Sequence, residues 1–487
     1  MTKNDISTYE PEAVLRYFYE LSQIPRESGN EAGVQEYLIE FAKIHSLNYA
    51  VDSIGNVIIK KPASAGNEQV PSVAMQGHMD MVCVKDDDYI HDFLTDPIKL
   101  KIDGDILTAE GTTLGADNGI ALAMVLAIFE DDTLVHGPLE GIFTISEETG
   151  LDGAFGLDIS KVDSRRLINL DSEEEGIFYI GCAGGGEVVG TLEADWQPVP
   201  KGYSAWDLTL SGFLGGHSGA EIHTGRGNAI KSGVRFLKDI SRKTPLHIAS
   251  LNSGTKRNVI PSTFYSTFLI PEESEELIEQ FSLKLQEAMN AELSSGDPNA
   301  TISVEKTNMP NKVISKKQSS AVLSALTVTP HGIDAMSKTI EGLVETSNNL
   351  AITKLDDKAF SFTASQRSSI TSARDEIEDR TATAFETCGA TARIENKYPA
   401  WTPDPASAMA KLCADFYQEF TGKEPVITAI HAGLECGVIN SKAKDMDSIS
   451  FGPDLSGVHS TDEQMSLSSA KRIYDYLLAL LTYMVKA

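Results

Sequence analysis

Apolar residues recur at three- and four-residue spacing over residues 11–24 and again over 30–45, the pattern of two amphipathic helices. Short runs rich in β-branched residues follow at 56–60, 72–76, 139–145 and 166–170, and each reads as a buried strand. Between them an apolar stretch starting near Asn118 and running to about Glu130 reads as a helix. Strands alternating with helices predict a layered α/β domain with a mostly parallel sheet.

The glycine-rich run GCAGGG (181–186) breaks this pattern and reads as a hinge. Beyond it, strands are predicted at 206–211, 247–252, 259–270, 300–305, 348–355 and 359–364, with helices at 227–240, 273–293 and 371–387. From about Asn396 the α/β character returns, with helices at 405–420 and 468–485 and strands near 425–430 and 448–451. The expectation is a discontinuous domain, 1–186 plus 396–487, carrying an inserted α+β lid at 187–395. At about 210 residues the insert is large for one such unit, and two related subunits side by side are compatible with it, although no repeat shows in the sequence.

Charge narrows the partners. Asp and Glu total 70 against 41 Lys and Arg, a formal net charge of -29 over 487 residues. Nucleic acid and anionic membrane surfaces would be repelled. The longest apolar runs, 120–129 and 476–485, are too short to span a bilayer. Five scattered cysteines, odd in number and without a CxxC pair, suit reduced thiols. The start, MTKNDISTYEPEAVLRYF, lacks the basic and apolar segments of a signal peptide, so a soluble cytoplasmic protein is expected.

Candidate chemistry gathers in five short motifs: GHMD (77–80), LGADNG (114–119), SEETG (146–150), NLDSEEEG (169–176) and GVHS (457–460). Three of them end or follow predicted strands, where open α/β sheets bind ligands. Two histidines with several carboxylates are donors suited to Zn²⁺ or Mn²⁺. His78 and Asp80 stand at i, i+2, on one face of an extended segment, so one can bind metal while the other orients it. Asp117 fits either a helix N-cap or a carboxylate bridging two metals. Adjacent Glu147 and Glu148 at a strand end repel each other unless a cation balances them; the alternative is a pair of exposed loop acids. Asp171 ends the strand at 166–170, and His459 sits in a glycine-containing loop. GGHSG (215–219) lacks the GxSxG order of a serine-hydrolase elbow, and the 181–186 run lacks the GK[ST] of a phosphate loop.

The ordered set resembles the co-catalytic zinc peptidases of the aminoacylase and carboxypeptidase-G type. It is most similar to the bacterial aminoacyl-histidine dipeptidases, also called cytosolic non-specific dipeptidases. GTTLGADNGIALA, HGPLEGIFTISEETGLDGAFGL, INLDSEEEG, GGHSGAEIH, HAGLECG and GVHSTDEQ carry the likeness. It implies hydrolysis of dipeptides, aminoacyl-histidine among them, by a water activated between two Zn²⁺ ions, with Mn²⁺ or Co²⁺ compatible. In that resemblance His78 and Asp171 bind one metal, Glu148 and His459 the other, and Asp117 bridges them. Glu147 is general base and acid, and Asp80 orients His78. His217 matches the lid histidine that stabilises the oxyanion, Arg367 the lid arginine on the substrate carboxylate, with Asn258 and His431 as further pocket residues. Smaller relatives take the lid histidine from a partner subunit, so monomer and homodimer both remain open. So do other di-zinc amide hydrolases (tripeptidase, carboxypeptidase or N-acyl amino acid deacylase), a non-catalytic binding protein that kept the fold, and a metal-independent hydrolase using Ser218.

Overall fold

The computed structural model describes residues 3–6, 8–443 and 445–486. The chain divides into two compact units: Met1–Cys182 with Trp401–Ala429 and Leu434–Ala487, and Ala183–Ala400 with Ile430–Gly433. These divisions fall a few residues from the expected 186/187 and 395/396 boundaries.

The elements that build the units run in this order. The chain opens with α1 (Glu12–Ser22), α2 (Ala32–Ile44), β1 (Asn48–Val51), β2 (Val57–Lys61), β3 (Val73–His78), α3 (Ala116–Glu130), β4 (Leu139–Thr144), β5 (Arg166–Asn169) and β6 (Ile177–Cys182). The second unit holds β7 (Gly184–Glu193), β8 (Tyr203–Ser211), α4 (Ala229–Ser241), β9 (Asn252–Ser253), β10 (Phe264–Pro271), α5 (Glu276–Glu292), β11 (Thr301–Thr307), α6 (Lys316–Val328), β12 (Val344–Leu355), β13 (Ala359–Ser368), α7 (Thr371–Glu386) and β14 (Thr391–Tyr398). The chain closes with α8 (Ala408–Thr421), β15 (Val426–Ile430), α9 (Glu435–Lys442), β16 (Asp447–Ser450) and α10 (Leu467–Met484).

The first unit is built on an 8-stranded sheet of order β1-β2-β4-β3-β5-β16-β6-β15. Its centre, β4-β3-β5-β16, is parallel throughout. The layered α/β class expected from the strand–helix alternation is the one adopted. α3 is apolar on every face and buried from Asn118 to Phe129, as a helix without a polar side must be. Its core joins α1, α2, α8 and α10 to the sheet.

The second unit has its own core and a 10-stranded sheet whose main path runs β11-β8-β10-β9-β12-β13-β7-β14. That order contains a repeat that the sequence does not display. Chain order β8, α4, β9, β10, α5, β11 gives one β-α-β-β-α-β half, and β7, α6, β12, β13, α7, β14 gives another. The two halves have mirrored strand orders and join edge to edge, with Asn252 opposite Lys354 and Ser253 opposite Thr353.

The division between the two units falls inside the glycine-rich run, between Cys182 and Ala183, and the run is strand on either side of it. Residues 181 and 182 finish β6, and 184–186 begin β7. Its glycines allow close approach: a Cβ on Gly185 would lie 2.5 Å from the Tyr398 ring. All five cysteines are free thiols. Among the described residues no helix is long and apolar enough to cross a membrane.

Candidate metal centre and lid cluster

Strand ends place the first unit's candidate residues. His78 is the last residue of β3, and Asp80 follows it two residues on. Glu147 and Glu148 lie just past β4, and Asp171 just past β5. Asp117 lies within the first turn of α3 but is not helical (φ -79, ψ 107), and its carboxylate faces His78 and His459. His459 adopts a left-handed backbone (φ 61) in the loop before α10.

The side chains converge on Asp117. Its Oδ1 lies 3.1 Å from His78 Nε2, which is also 3.4 Å from Asp171 Oδ1. Its Oδ2 lies 3.1 Å from His459 Nε2, which is also 3.1 Å from Glu148 Oε2. One carboxylate is thus divided between two His–acid pairs. Ligand atoms from His78, Asp117 and Glu148 all lie within 4.8 Å of one another, the spacing of groups that can hold a metal ion. Glu148 Oε1 is buried with no hydrogen-bond partner among the described residues.

Asp80 ties two strand ends together. Its Oδ1 lies 3.3 Å from His78 Nδ1 and accepts the Glu147 N–H at 3.0 Å. Its Oδ2 accepts from Ser28 Oγ at 2.7 Å and from the Glu148 N–H at 3.2 Å. Burial alone would raise the Asp80 pKa, but His78, Ser28 and the Glu147 amide hold it down at about 2.

Electrostatics in the pocket ask for a cation. Burial, then Asp171, Glu148 and Glu435, push the Glu147 carboxyl well above its ordinary range despite His78. Burial, then Asp117 and Glu148, also raise Asp171. Burial opposes a charge on His78, yet Asp171, Asp117 and Asp80 drive its pKa well up. Hydrogen bonds to Asp117 and Glu148 raise His459 to about 11. Nitrogen and carboxylate donors crowded at these distances fit divalent ions, whose charge would offset the carboxylates.

Two supports escaped the sequence reading. Glu463 accepts N–H bonds from Leu114, Gly115, Ala116 and Asp117 at 2.8–3.3 Å, a cradle for the Asp117 loop. Buried Arg26 donates to the carbonyls of Met79, Asp80 and Gly115. Glu463 stands four residues beyond His459 in the GVHSTDEQ motif, so an acid at that offset was the available signal.

A second cluster belongs to the second unit. His217 Nδ1 accepts the Ala220 N–H at 3.1 Å, so the neutral ring carries its proton on Nε2 and is a donor there. Arg367, the last but one residue of β13, donates to Tyr398 Oη at 3.1 Å and keeps a buried Nε without a partner among the described residues. His431 Nε2 meets Ser347 Oγ at 2.7 Å, and burial, reinforced by Arg367, lowers its pKa to about 3. A Cβ on Gly219 would fall 2.7 Å from the His431 carbonyl, 3.0 Å from His217 and 3.2 Å from Arg367, so these three ring one small space. Asn258 is exposed and enters through its main chain, accepting the Ser218 N–H at 2.8 Å. Ser218 Oγ is buried and bonds no histidine, contrary to what a serine nucleophile needs. Tyr398 and Ser347 were not singled out from sequence, because nothing local marks a residue whose partner lies 31 or 84 positions away.

A sequence model of peptidase family M20/M25/M40 matches residues 74–483. The chain belongs to this family. The cytosol non-specific dipeptidase of Escherichia coli (strain K12) is 37% identical over 478 residues, covering 98% of this chain and 99% of that protein. The crystal structure of aminoacylhistidine dipeptidase from Vibrio alginolyticus superposes with a TM-score of 0.90 at 36% identity, covering 98% of each chain. An M20 family metallo-carboxypeptidase from Sulfolobus solfataricus shares the fold, with a TM-score of 0.53 at 13% identity over 97% of this chain and 99% of that one. The family resemblance expected from the acid-rich motifs is met over nearly the whole chain.

Proposed function

We propose that this M20 family chain is a metal-dependent dipeptidase of broad specificity, with aminoacyl-histidine among its substrates. The division of the Asp117 carboxylate between two His–acid pairs carries the reading. His78 and Asp171 would hold one divalent ion, His459 and Glu148 the other, and Asp117 both. Nitrogen and carboxylate donors without thiolate suit Zn²⁺, with Mn²⁺ and Co²⁺ compatible. When bound, the ions polarise the scissile carbonyl and acidify water towards neutral pH.

The chain's own residues do the rest. Glu147 takes the proton of the attacking water and returns it to the leaving amine. Its main chain is pinned by Asp80, which fixes where the side chain starts from. The Nε2–H of His217 donates to the carbonyl oxygen as negative charge develops there. Arg367, with neutral His431 beside it, binds the substrate's terminal carboxylate, and Asn258 contributes to the same pocket. A pocket closed at the substrate carboxylate would favour dipeptides over longer peptides. The free thiols favour a cytoplasmic setting.

The test is hydrolysis of alanyl-histidine and β-alanyl-histidine, beside trialanine and an N-acetyl amino acid, with and without chelator. Chelator-sensitive cleavage of dipeptides, restored by Zn²⁺, is expected. Cleavage confined to the tripeptide or the acyl substrate would replace the dipeptidase reading with another amide hydrolase. No cleavage by metal-loaded protein would leave a binding protein.

A further inference from the structure

Each central strand of the first sheet carries a buried polar side chain near its C-terminal end, and on three of the four strands a candidate ligand follows within a few residues. They are Thr144 on β4, Gln76 on β3, Asn169 on β5 and Ser450 on β16, all 0% exposed. The register sets them side by side: Gln76 is opposite Asn169, Asn169 opposite Ser450, and Thr144 opposite His78. Their side chains form one hydrogen-bonded belt. Ser450 Oγ donates to Asn169 Oδ1 at 2.5 Å, and Asn169 Nδ2 donates to Gln76 Oε1 at 2.6 Å. Gln76 Nε2 donates to Glu435 Oε2 at 2.5 Å, and Thr144 Oγ1 donates to the same oxygen at 2.7 Å.

The belt ends on Glu435, the first residue of α9 and also 0% exposed. It is an acid among the buried residues Cys436, Gly437, Val438 and Ile439, and no step proposed above uses it. The ligands stand immediately beyond the belt. His78 follows Gln76 by two residues and therefore points to the same face. Asp171 follows Asn169 by two, with its N–H 3.3 Å from Asn169 Oδ1. Glu147 and Glu148 follow Thr144 by three and four residues.

We infer that Glu435 is a positioning residue for the metal centre: its carboxylate accepts the last two bonds of a belt that locks the strand ends bearing His78, Glu148 and Asp171. The inference rests on the metal-site reading above. A ladder of main-chain bonds alone lets neighbouring strands shift by tenths of an ångström. A buried side-chain network removes much of that freedom, and here Glu435 Oε2 takes both bonds while its Oε1 is buried without a partner among the described residues. The role needs an acceptor that can take bonds from an amide and a hydroxyl at once. Without it, Gln76 Nε2 and Thr144 Oγ1 keep only long bonds, to Thr144 Oγ1 at 3.3 Å and to the Gly77 carbonyl at 3.4 Å, and the strand ends can part.

The experiment is a titration of metal-free protein with Co²⁺, followed by visible absorption and by competition with a chromophoric chelator. Wild type should take up two equivalents. Glu435→Ala should bind at least one ion about 10–100-fold more weakly, the range for residues that orient metal ligands, with an altered Co²⁺ spectrum. Glu435→Gln, whose amide oxygen accepts both bonds, should recover affinity to within roughly threefold of wild type. Thr144→Val, nearly isosteric, should weaken binding several-fold even if Glu435→Ala fails to fold. Wild-type affinity and spectrum in folded Glu435→Ala or in Thr144→Val would overturn the positioning role. So would a Glu435→Gln protein as weak as the alanine variant. Wild type that binds no Co²⁺ would instead sink the metal-site reading itself.

Discussion

Asp80 bonds at once to a histidine, a serine and two successive amides, so its burial is stabilised rather than penalised. Its i, i+2 spacing from His78 was legible in the sequence. The two amides it holds were not, because they arrive from another strand 67 and 68 residues away. Glu147, next in that chain of contacts, should be separable from the ligands by mutation. Glu147→Gln is expected to lower kcat by about 10²–10⁴, the span of general acid–base catalysis, while metal content by elemental analysis stays at two equivalents. A variant with unchanged kcat would refute the assignment. Arg367→Met should act on binding instead, raising KM for dipeptides with a free carboxylate far more than for the same dipeptides amidated. Equal effects on both would remove Arg367 from the carboxylate pocket. His431 gives a pH signature of stability. Its pKa is about 3 folded and 6.5 as an unperturbed group. Between those values the unfolded chain binds more protons, so stability is lost as pH falls through that window. Urea unfolding near pH ~4.5 should show His431→Gln gaining on wild type by on the order of 2 kcal/mol relative to neutral pH. An unchanged difference across that range would mean His431 is not held neutral.

At the scale of elements, the LGADNG segment shows how one loop motif supports two readings. Asp and Asn before an apolar run signal a helix cap, and α3 does begin there. Asp117 is not helical, and Glu463, from the other end of the sequence, accepts the four successive N–H groups that end at it. Glu463→Ala would leave those donors without their acceptor, at a cost of about 1–3 kcal/mol for each that stays dry. The variant should melt earlier and bind metal more weakly, even though Glu463 is not among the proposed ligands. Unchanged melting and unchanged metal affinity would show that the loop holds its shape without the cradle. The strand ends bearing the ligands were legible to within one or two residues, since β3, β4 and β5 are short apolar runs cut off by polar motifs. α6 was passed over, although Ser315 accepts the Gln318 N–H at its start and the S-x-x-Q spacing stands in the sequence. The 181–186 run was expected to break the chain between units, and the division does fall there; that its flanks are strand was not legible, because glycine signals either a turn or close packing and only the neighbouring Tyr398 decides between them.

For the whole molecule, the lid repeat is the clearest case of structure outlasting sequence. Two β-α-β-β-α-β halves need the same alternation of apolar and polar positions but not the same residues, so strand order reveals what letter comparison does not. Both halves share one core, and the first unit has a separate one. That separation has a thermodynamic consequence. His78, Asp117, Glu148, Asp171 and His459 all lie in the first unit. Ions bound there stabilise that unit against its unfolded form by about 4 kcal/mol when free metal is near ~1,000 times Kd. For a unit of this size that corresponds to roughly 10 °C in melting temperature. Calorimetry of the metal-loaded protein should therefore show two transitions. Chelation should lower only one of them, by about that amount, and the other should keep its position because the second unit carries none of the proposed ligands. Glu147→Gln should reproduce the metal-loaded pattern and Asp117→Ala the chelated one, since the first retains the ligand set and the second removes its shared member. A single transition that moves as a whole would mean the two cores unfold together. Two transitions indifferent to chelator would mean that the carboxylate cluster is stable without the ions its geometry calls for.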